Sequence, residues 1–185
     1  MKPLLLCMAG IAALGACATR QTDHFYILEV QPAATAPFKS AGTQVELHVV
    51  LPALVDRGEM VLNTSADTVR VLEHERWAAP LADQVSITLA QDVERRRPDL
   101  LVSEMSTGLT GAKIVVNVVQ MSALQGDRVS IEANWRILHS RADEELSGSE
   151  VFTARLSASD YSAVARGLSA CLGLLADRLA AEFAR

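Results

Sequence analysis

Histidines, carboxylates and cysteines are the side chains in this sequence that could bind a metal ion or transfer protons. The four histidines are scattered, with no pair at the i, i+4 spacing of helical metal ligands and no cysteine pair to complete a ligand set: His24, His48, His74 and His139. Glu73-His74-Glu75 places two carboxylates beside an imidazole, but neighbouring residues on a strand point to opposite faces. We therefore predict no metal site and no cofactor.

Serine and glycine motifs give no better candidate for catalysis. Ser147-Gly148-Ser149 lacks the flanking glycines of a nucleophile elbow. Gly108 and Gly111 do not form a phosphate-binding or dinucleotide-binding fingerprint. The sequence thus predicts no catalytic residues and a chain that is not an enzyme. The alternative left open is a periplasmic hydrolase whose triad assembles from residues that are distant in sequence.

Cys17 is the one residue whose surroundings predict a covalent modification. Lys2 precedes an apolar run over residues 3–14 that is too short to span a bilayer, and this is typical of a cleavable export signal. Leu14-Gly15-Ala16-Cys17 resembles the bacterial lipobox, which implies a diacylglyceryl group on Cys17 and cleavage before it. Ala18, where an aspartate would typically retain a lipoprotein in the inner membrane, implies an outer-membrane anchor facing the periplasm. The alternatives are an ordinary signal peptide and an uncleaved anchor.

Composition limits what the mature protein can do. We predict a signal peptide over residues 1–16, a lipidated tether over 17–23 and a single domain over 24–185. Without the signal, 16 basic residues face 22 acidic ones, and this net charge of −6 argues against a nucleic-acid partner. Cys7 leaves with the signal and Cys17 is lipidated, so Cys171 has no partner for a disulfide within the chain.

Apolar periodicity predicts the elements that build the domain. Period-two patterns predict strands over residues 24–30, 45–51, 60–62, 68–73, 113–124, 129–137 and 149–156, with the first strand buried on both faces and the last three in a meander. Residues 99–112 are predicted to form a loop. Leu81, Val85, Leu89 and Val93 predict a helix from Pro80 to Pro98.

The last helix and the fold class follow from the same patterns. Apolar residues recur every three or four positions from Tyr161 to Phe183, and Ser157 or Ser159 is predicted to cap this helix, with Asp160 completing a capping box. Two helices packed on one face of a mainly antiparallel sheet would bury both apolar stripes. We therefore predict an α+β fold of two layers.

Four segments, in this order, resemble the PqiC/YmbA-type ABC-transport auxiliary lipoproteins. The segments are Tyr26-x-Leu28, Leu51-Pro52-x-Leu54-x-Asp56-Arg57 followed by Met60-Val61, Arg76-Trp77-Ala78-x-Pro80-Leu81, and Asp160-Tyr161. The resemblance covers nearly the whole mature chain. Gly58-Glu59 departs from it, since family members more often carry a polar residue or proline before a glutamine there.

The resemblance implies a non-catalytic role beside an ABC permease, its ATPase and a periplasmic MCE-domain protein that moves phospholipid or other hydrophobic molecules between the membranes. A ring or other homo-oligomer would suit such a partner. The alternative is a structural or assembly lipoprotein of the envelope that takes no part in a lipid route. Chain order predicts that residues 52–57 and 76–80 meet in a partner surface formed by Pro52, Asp56, Arg57, Arg76, Trp77 and Pro80. The alternative for Trp77 is burial in the core.

Overall fold

The computed structural model describes residues 22–33, 42–104, 111–140 and 145–183. These residues form eight strands and two helices around one hydrophobic core: β1 (His24–Tyr26), β2 (Thr43–Val50), β3 (Glu59–Asn63), β4 (Val69–Trp77), α1 (Leu81–Arg96), β5 (Leu100–Ser103), β6 (Ala112–Leu124), β7 (Arg128–His139), β8 (Glu145–Arg155) and α2 (Tyr161–Glu182). The predicted Cys17 anchor lies outside the described residues.

All eight strands join one mixed sheet. The predicted meander is present, because β6, β7 and β8 pair in antiparallel ladders, and β3 pairs with β4 in the same sense. Most paired positions are therefore antiparallel, as predicted. The remaining ladders are parallel: β1 with β4, β2 with β5, and β6 with both β2 and β3.

The two helices pack side by side on one face of this sheet, which confirms the α+β prediction. α1 contacts β2 and β5, α2 contacts β7 and β8, and the helices contact each other. Alternate residues of β7 are fully buried beneath them: Val129, Ile131, Ala133, Trp135 and Ile137. The stripe of α2 reaches the same core through Val164, Leu168 and Leu172. Among the described residues, neither helix is long and apolar enough to cross a membrane.

Helix termini differ in part from the prediction. Pro80 precedes the first turn of α1, where a missing N–H costs nothing. The capping box predicted with Ser157 is wrong, because Asp160 itself is the N-cap of α2 and its carboxylate accepts a hydrogen bond of 2.7 Å from the Ala163 N–H. That bond is the largest cause of the lowered pKa of Asp160, since it stabilises the charged carboxylate.

Two predictions at the sheet edges are wrong. Part of the predicted loop 99–112 is the short strand β5, which pairs in parallel with β2. The first strand is not buried on both faces: β1 ends at Tyr26, and the side chains of Phe25 and Ile27 are 63% and 59% exposed. After Tyr26 the chain leaves the sheet and runs across the two helices, so only one side of the segment can be covered.

Candidate functional site

The two motif segments, 52–57 and 76–80, lie side by side, and we call them together the corner. After β2, the Pro52 carbonyl accepts hydrogen bonds from the N–H groups of Val55 and Asp56, at 3.0 and 3.1 Å, which turns the chain back towards β3. The Trp77 N–H donates to the Gly58 carbonyl at 2.8 Å, where β4 runs past the start of β3. The β3–β4 hairpin thus returns the chain to the point where it left β2.

Glu59 joins the two segments electrostatically. Its carboxylate accepts from Nε of Arg57 at 3.0 Å and from an Nη of Arg76 at 3.1 Å. The hydrogen bond from Arg57 is the largest cause of the lowered pKa of Glu59. Gly58 lies close to the cluster, since a Cβ there would lie 3.1 Å from the Arg76 guanidinium. The Gly58-Glu59 pair that departs from the family pattern therefore organises the corner.

The corner encloses a surface depression of about 340 Å³. Its lining residues come from the two segments and from the start of α1: Asp56, Arg57, Gly58, Trp77, Ala79, Pro80 and Leu81. Asp56, Arg57 and Pro80 are exposed, and Pro52 and Arg76 are half-buried. Five of the six predicted surface residues are therefore accessible.

Trp77 is the exception, because it is only 6% exposed and belongs to the hydrophobic core. Of the two alternatives for this residue, the structure shows burial. Its ring separates the depression from a small apolar gap of about 10 Å³, whose lining includes Val55, Met60, Leu81 and Leu168. Trp77 thus forms the floor of the corner and closes the core beneath it.

The candidate acid–base residues serve to join β1 to β4. His74 Nδ1 lies 2.8 Å from a carboxylate oxygen of Asp23, whereas Glu75 contacts His24 at 3.1 Å and accepts a hydrogen bond from the Tyr26 hydroxyl. Burial and the Glu75 carboxylate raise the pKa of Tyr26. Among the described residues, no group of three or more histidine, cysteine, aspartate or glutamate side chains is placed to hold a metal ion.

Sequence reasoning missed a set of buried polar side chains on the two helices. They bind the backbone of residues 27–31, which we call the strap. Gln84 Oε1 accepts from the Leu28 N–H at 2.9 Å, Ser169 Oγ accepts from the Glu29 N–H at 3.0 Å, and Asp92 Oδ1 accepts from the Gln31 N–H at 2.7 Å. We call these three side chains the clamp.

A sequence signal for the clamp exists on α1. This helix carries a row of polar residues at i, i+4 and i+8: Gln84, Thr88 and Asp92. Each of them lies one residue before a member of the apolar stripe, and all three are buried. Buried polar side chains need partners, and the strap backbone supplies them for Gln84 and Asp92. Gly173 on α2 makes room for the strap, because a Cβ there would lie 2.8 Å from the Gln31 side chain.

Fold and site define a two-layer α+β domain with an ion-paired corner and an N-terminal strap clamped to its helices. Comparison with protein families then assigns the class. The model of the ABC-type transport auxiliary lipoprotein component matches residues 26–180, and the chain belongs to this family. The match confirms the resemblance carried by the four sequence segments.

Named relatives and solved structures agree with this assignment. The intermembrane transport lipoprotein PqiC of Escherichia coli K12 is 23% identical over 142 residues, which cover 75% of each chain, and PqiC of Shigella flexneri gives the same values. A crystal structure of an uncharacterized protein matches with a TM-score of 0.75 over 88% of this chain and 99% of that one. A DUF330 protein from Xanthomonas campestris has a TM-score of 0.66 over 85% and 92%. Both are 17% identical to this chain, so they show the fold alone.

Proposed function

We propose that this chain is a non-catalytic lipoprotein of the outer membrane that works with an MCE-type ABC transport system moving phospholipid or another hydrophobic molecule between the two membranes. The observation that carries the proposal is the family match from β1 to near the end of α2. The names of the Escherichia and Shigella relatives, which place those proteins in intermembrane transport, support the same route.

The anchor is proposed to be the lipid on Cys17, supported by the lipobox-like segment before it. Labelling with radioactive palmitate should be lost in Cys17→Ala and kept in Cys171→Ala, the matched control at the buried cysteine. Wild-type protein should fractionate with the outer membrane on a sucrose gradient, because residue 18 is alanine. Label that survives Cys17→Ala, or fractionation with the inner membrane, would contradict this anchor.

The corner is proposed to be the surface that meets the MCE-domain protein. Its two arginines are held in place by Glu59 beside an open depression, and arginine is among the residues most enriched in binding hot spots. The Arg57 and Arg76 side chains are 42% and 35% exposed, so solvent screens both ion pairs and they contribute little to stability. Loss of either arginine should therefore weaken binding more than it weakens the fold.

The test is co-purification with the MCE-domain protein encoded near the gene for this chain. Arg57→Ala and Arg76→Ala should lower the affinity at least about tenfold, which is about 1.4 kcal/mol, with little change in melting temperature. Arg128→Ala is the control, because Arg128 is also an exposed, ion-paired arginine but lies on β7 and does not line the depression. Unchanged binding, or a large loss of stability, would show that the corner is structural.

Neighbouring genes and the assembly state separate this function from the alternative of a structural envelope lipoprotein. Genes for a permease, an ATPase and an MCE-domain protein should adjoin this one, and their absence would favour the alternative. We also propose a ring or other symmetric homo-oligomer, since closed symmetry is the usual form of homo-oligomers. A monomer mass in light scattering at micromolar concentration would contradict the oligomer.

A further inference from the structure

Phe25 and Ile27 are the first large apolar side chains of the described chain, and both face solvent. Phe25 lies in β1 and Ile27 lies one residue beyond its end, and their side chains are 63% and 59% exposed. Tyr26 bonds to Glu75, and Leu28 is only 8% exposed. The segment therefore alternates exposed apolar side chains with covered ones.

This exposure is held in place by the surrounding bonds. On the N-terminal side, β1 pairs with β4 over three residues, and the Ala78 N–H donates to the Tyr26 carbonyl at 2.9 Å. On the C-terminal side, the clamp binds the N–H groups of Leu28, Glu29 and Gln31. With both flanks bonded, the segment cannot rotate to bury Phe25 and Ile27 without breaking hydrogen bonds.

The position of the anchor indicates what covers these two side chains. His24 follows Cys17 by seven residues, so a lipid on Cys17 keeps β1 within about 25 Å of the membrane surface. We propose that Phe25 and Ile27 insert into the interfacial layer of the membrane that carries the anchor. This inference rests on the proposed lipidation of Cys17, because the lipid anchor is what brings a membrane surface close to Phe25 and Ile27.

The described side chains around Phe25 and Ile27 do not form a basic patch. Asp23 lies against His74, Glu75 lies against His24, and Arg76, which is in register with Phe25, binds Glu59. Contact with the membrane is therefore driven by apolar burial and by the tether, and it should depend little on the fraction of anionic lipid.

Among the other exposed apolar residues, Val151 lies far from β1 along the sheet. Val151 is 57% exposed, which is close to the value for Phe25, but it lies on β8 at the opposite edge of the sheet. Five strand spacings separate β1 from β8, which is about 24 Å. Val151 thus provides a matched control of similar exposure at the far edge of the sheet from Phe25.

The test uses lipidated full-length protein reconstituted into phosphatidylethanolamine–phosphatidylglycerol vesicles whose acyl chains carry bromine near the headgroup. Bromine quenches tryptophan fluorescence at short range, and the native Trp77 and Trp135 are buried, at 6% and 2% exposure. Phe25→Trp should show quenching at least about twice that of the wild type, and Val151→Trp should match the wild type. Flotation of each protein with the vesicles is measured in parallel.

The outcomes separate this inference from the proposed function. Phe25→Trp protein that floats with the vesicles but is not quenched overturns the membrane contact and leaves the lipid anchor intact. Equal quenching of the tryptophans at positions 25 and 151 overturns it as well, since the domain would then have no fixed orientation. Protein that fails to float overturns the anchor and the contact together. Quenching confined to position 25, unchanged in vesicles without phosphatidylglycerol, supports the proposal.

Discussion

Gln84→Met should release the strap from α1. In the wild type, Gln84 Oε1 accepts from the buried Leu28 N–H, and its Nε2 donates to the Ala79 carbonyl at 3.0 Å. Methionine has a similar length and nearly the same helix propensity, so the helix itself should be unaffected. The Leu28 N–H, however, would lose its acceptor in a place that water does not reach.

The size of the effect follows from that one group. A buried donor without a partner costs about 1–3 kcal/mol, and the added apolar contact of methionine offsets part of this. The Ala79 carbonyl belongs to an exposed residue, so water can replace its bond at little cost. We expect a net loss of about 1–2 kcal/mol, or about 2–8 °C in Tm for a domain of this size.

Urea unfolding measures the global loss, and amide hydrogen exchange shows whether it begins at the strap. The amides of Leu28, Glu29 and Gln31 should exchange faster in Gln84→Met, while the amides of β7 keep their protection relative to global stability. Gln91→Met is the control, because Gln91 is an exposed residue on the same helix. Stability equal to the wild type, with unchanged exchange at Leu28, would refute the reasoning that the clamp holds the strap.

Three further predictions concern buried groups. Gly148→Ala should destabilise the domain by about 2 kcal/mol, because a Cβ there would lie 2.6 Å from Cε2 of the buried Trp135 ring. Urea unfolding measures this loss. A variant as stable as the wild type would show that the Trp135 ring can move aside without cost. Burial raises the pKa of the Asp92 carboxyl, so the folded state binds a proton there more tightly than the unfolded chain does. The stability of the wild type relative to Asp92→Asn should therefore fall as the pH rises through the raised pKa. Urea midpoints of both proteins across the acid range test this sign, and a difference that grows with pH would contradict it. Burial raises the pKa of the Cys171 thiol to about 11, so Ellman's reagent should react with this thiol near neutral pH only after unfolding. Cys171→Ala is the control for this reaction. Rapid labelling of the folded protein would contradict the prediction.

Long, locally periodic segments could be predicted from the sequence because each carries its own signal. β7 alternates without interruption over residues 128–137, and α2 repeats its stripe over 22 residues. β5 has only four residues, and its partner β2 lies far upstream, so no local pattern marks it. The parallel ladders escaped prediction for the same reason, since pairing between distant strands leaves no trace in either strand alone.

The first strand shows a different limit of sequence reasoning. Apolar residues at every position from Phe25 to Leu28 look the same whether both sides meet the core or one side meets another surface. The polar residues of the clamp were equally hard to assign, because their partners are backbone N–H groups that any sequence possesses. At the corner, chain order predicts that the two segments meet, but Glu59 stands in the sequence only as a departure from the family pattern, and nothing there marks it as the shared partner of two arginines.

The clamp would have a mechanical role under the proposed lipid anchor on Cys17. β1 has only three residues paired to β4, and such a short edge strand would fray under a pull from the tether. The hydrogen bonds of the clamp would transfer this pulling force to both helices. The helices are themselves joined by the bond from Arg96 of α1 to Asp177 of α2. Because Phe25 is in register with Arg76, a fixed β1 also fixes the position of the corner beside it. Under the proposed anchor and membrane contact, a partner protein would find the corner at a constant height and orientation, which a flexible tether alone could not provide.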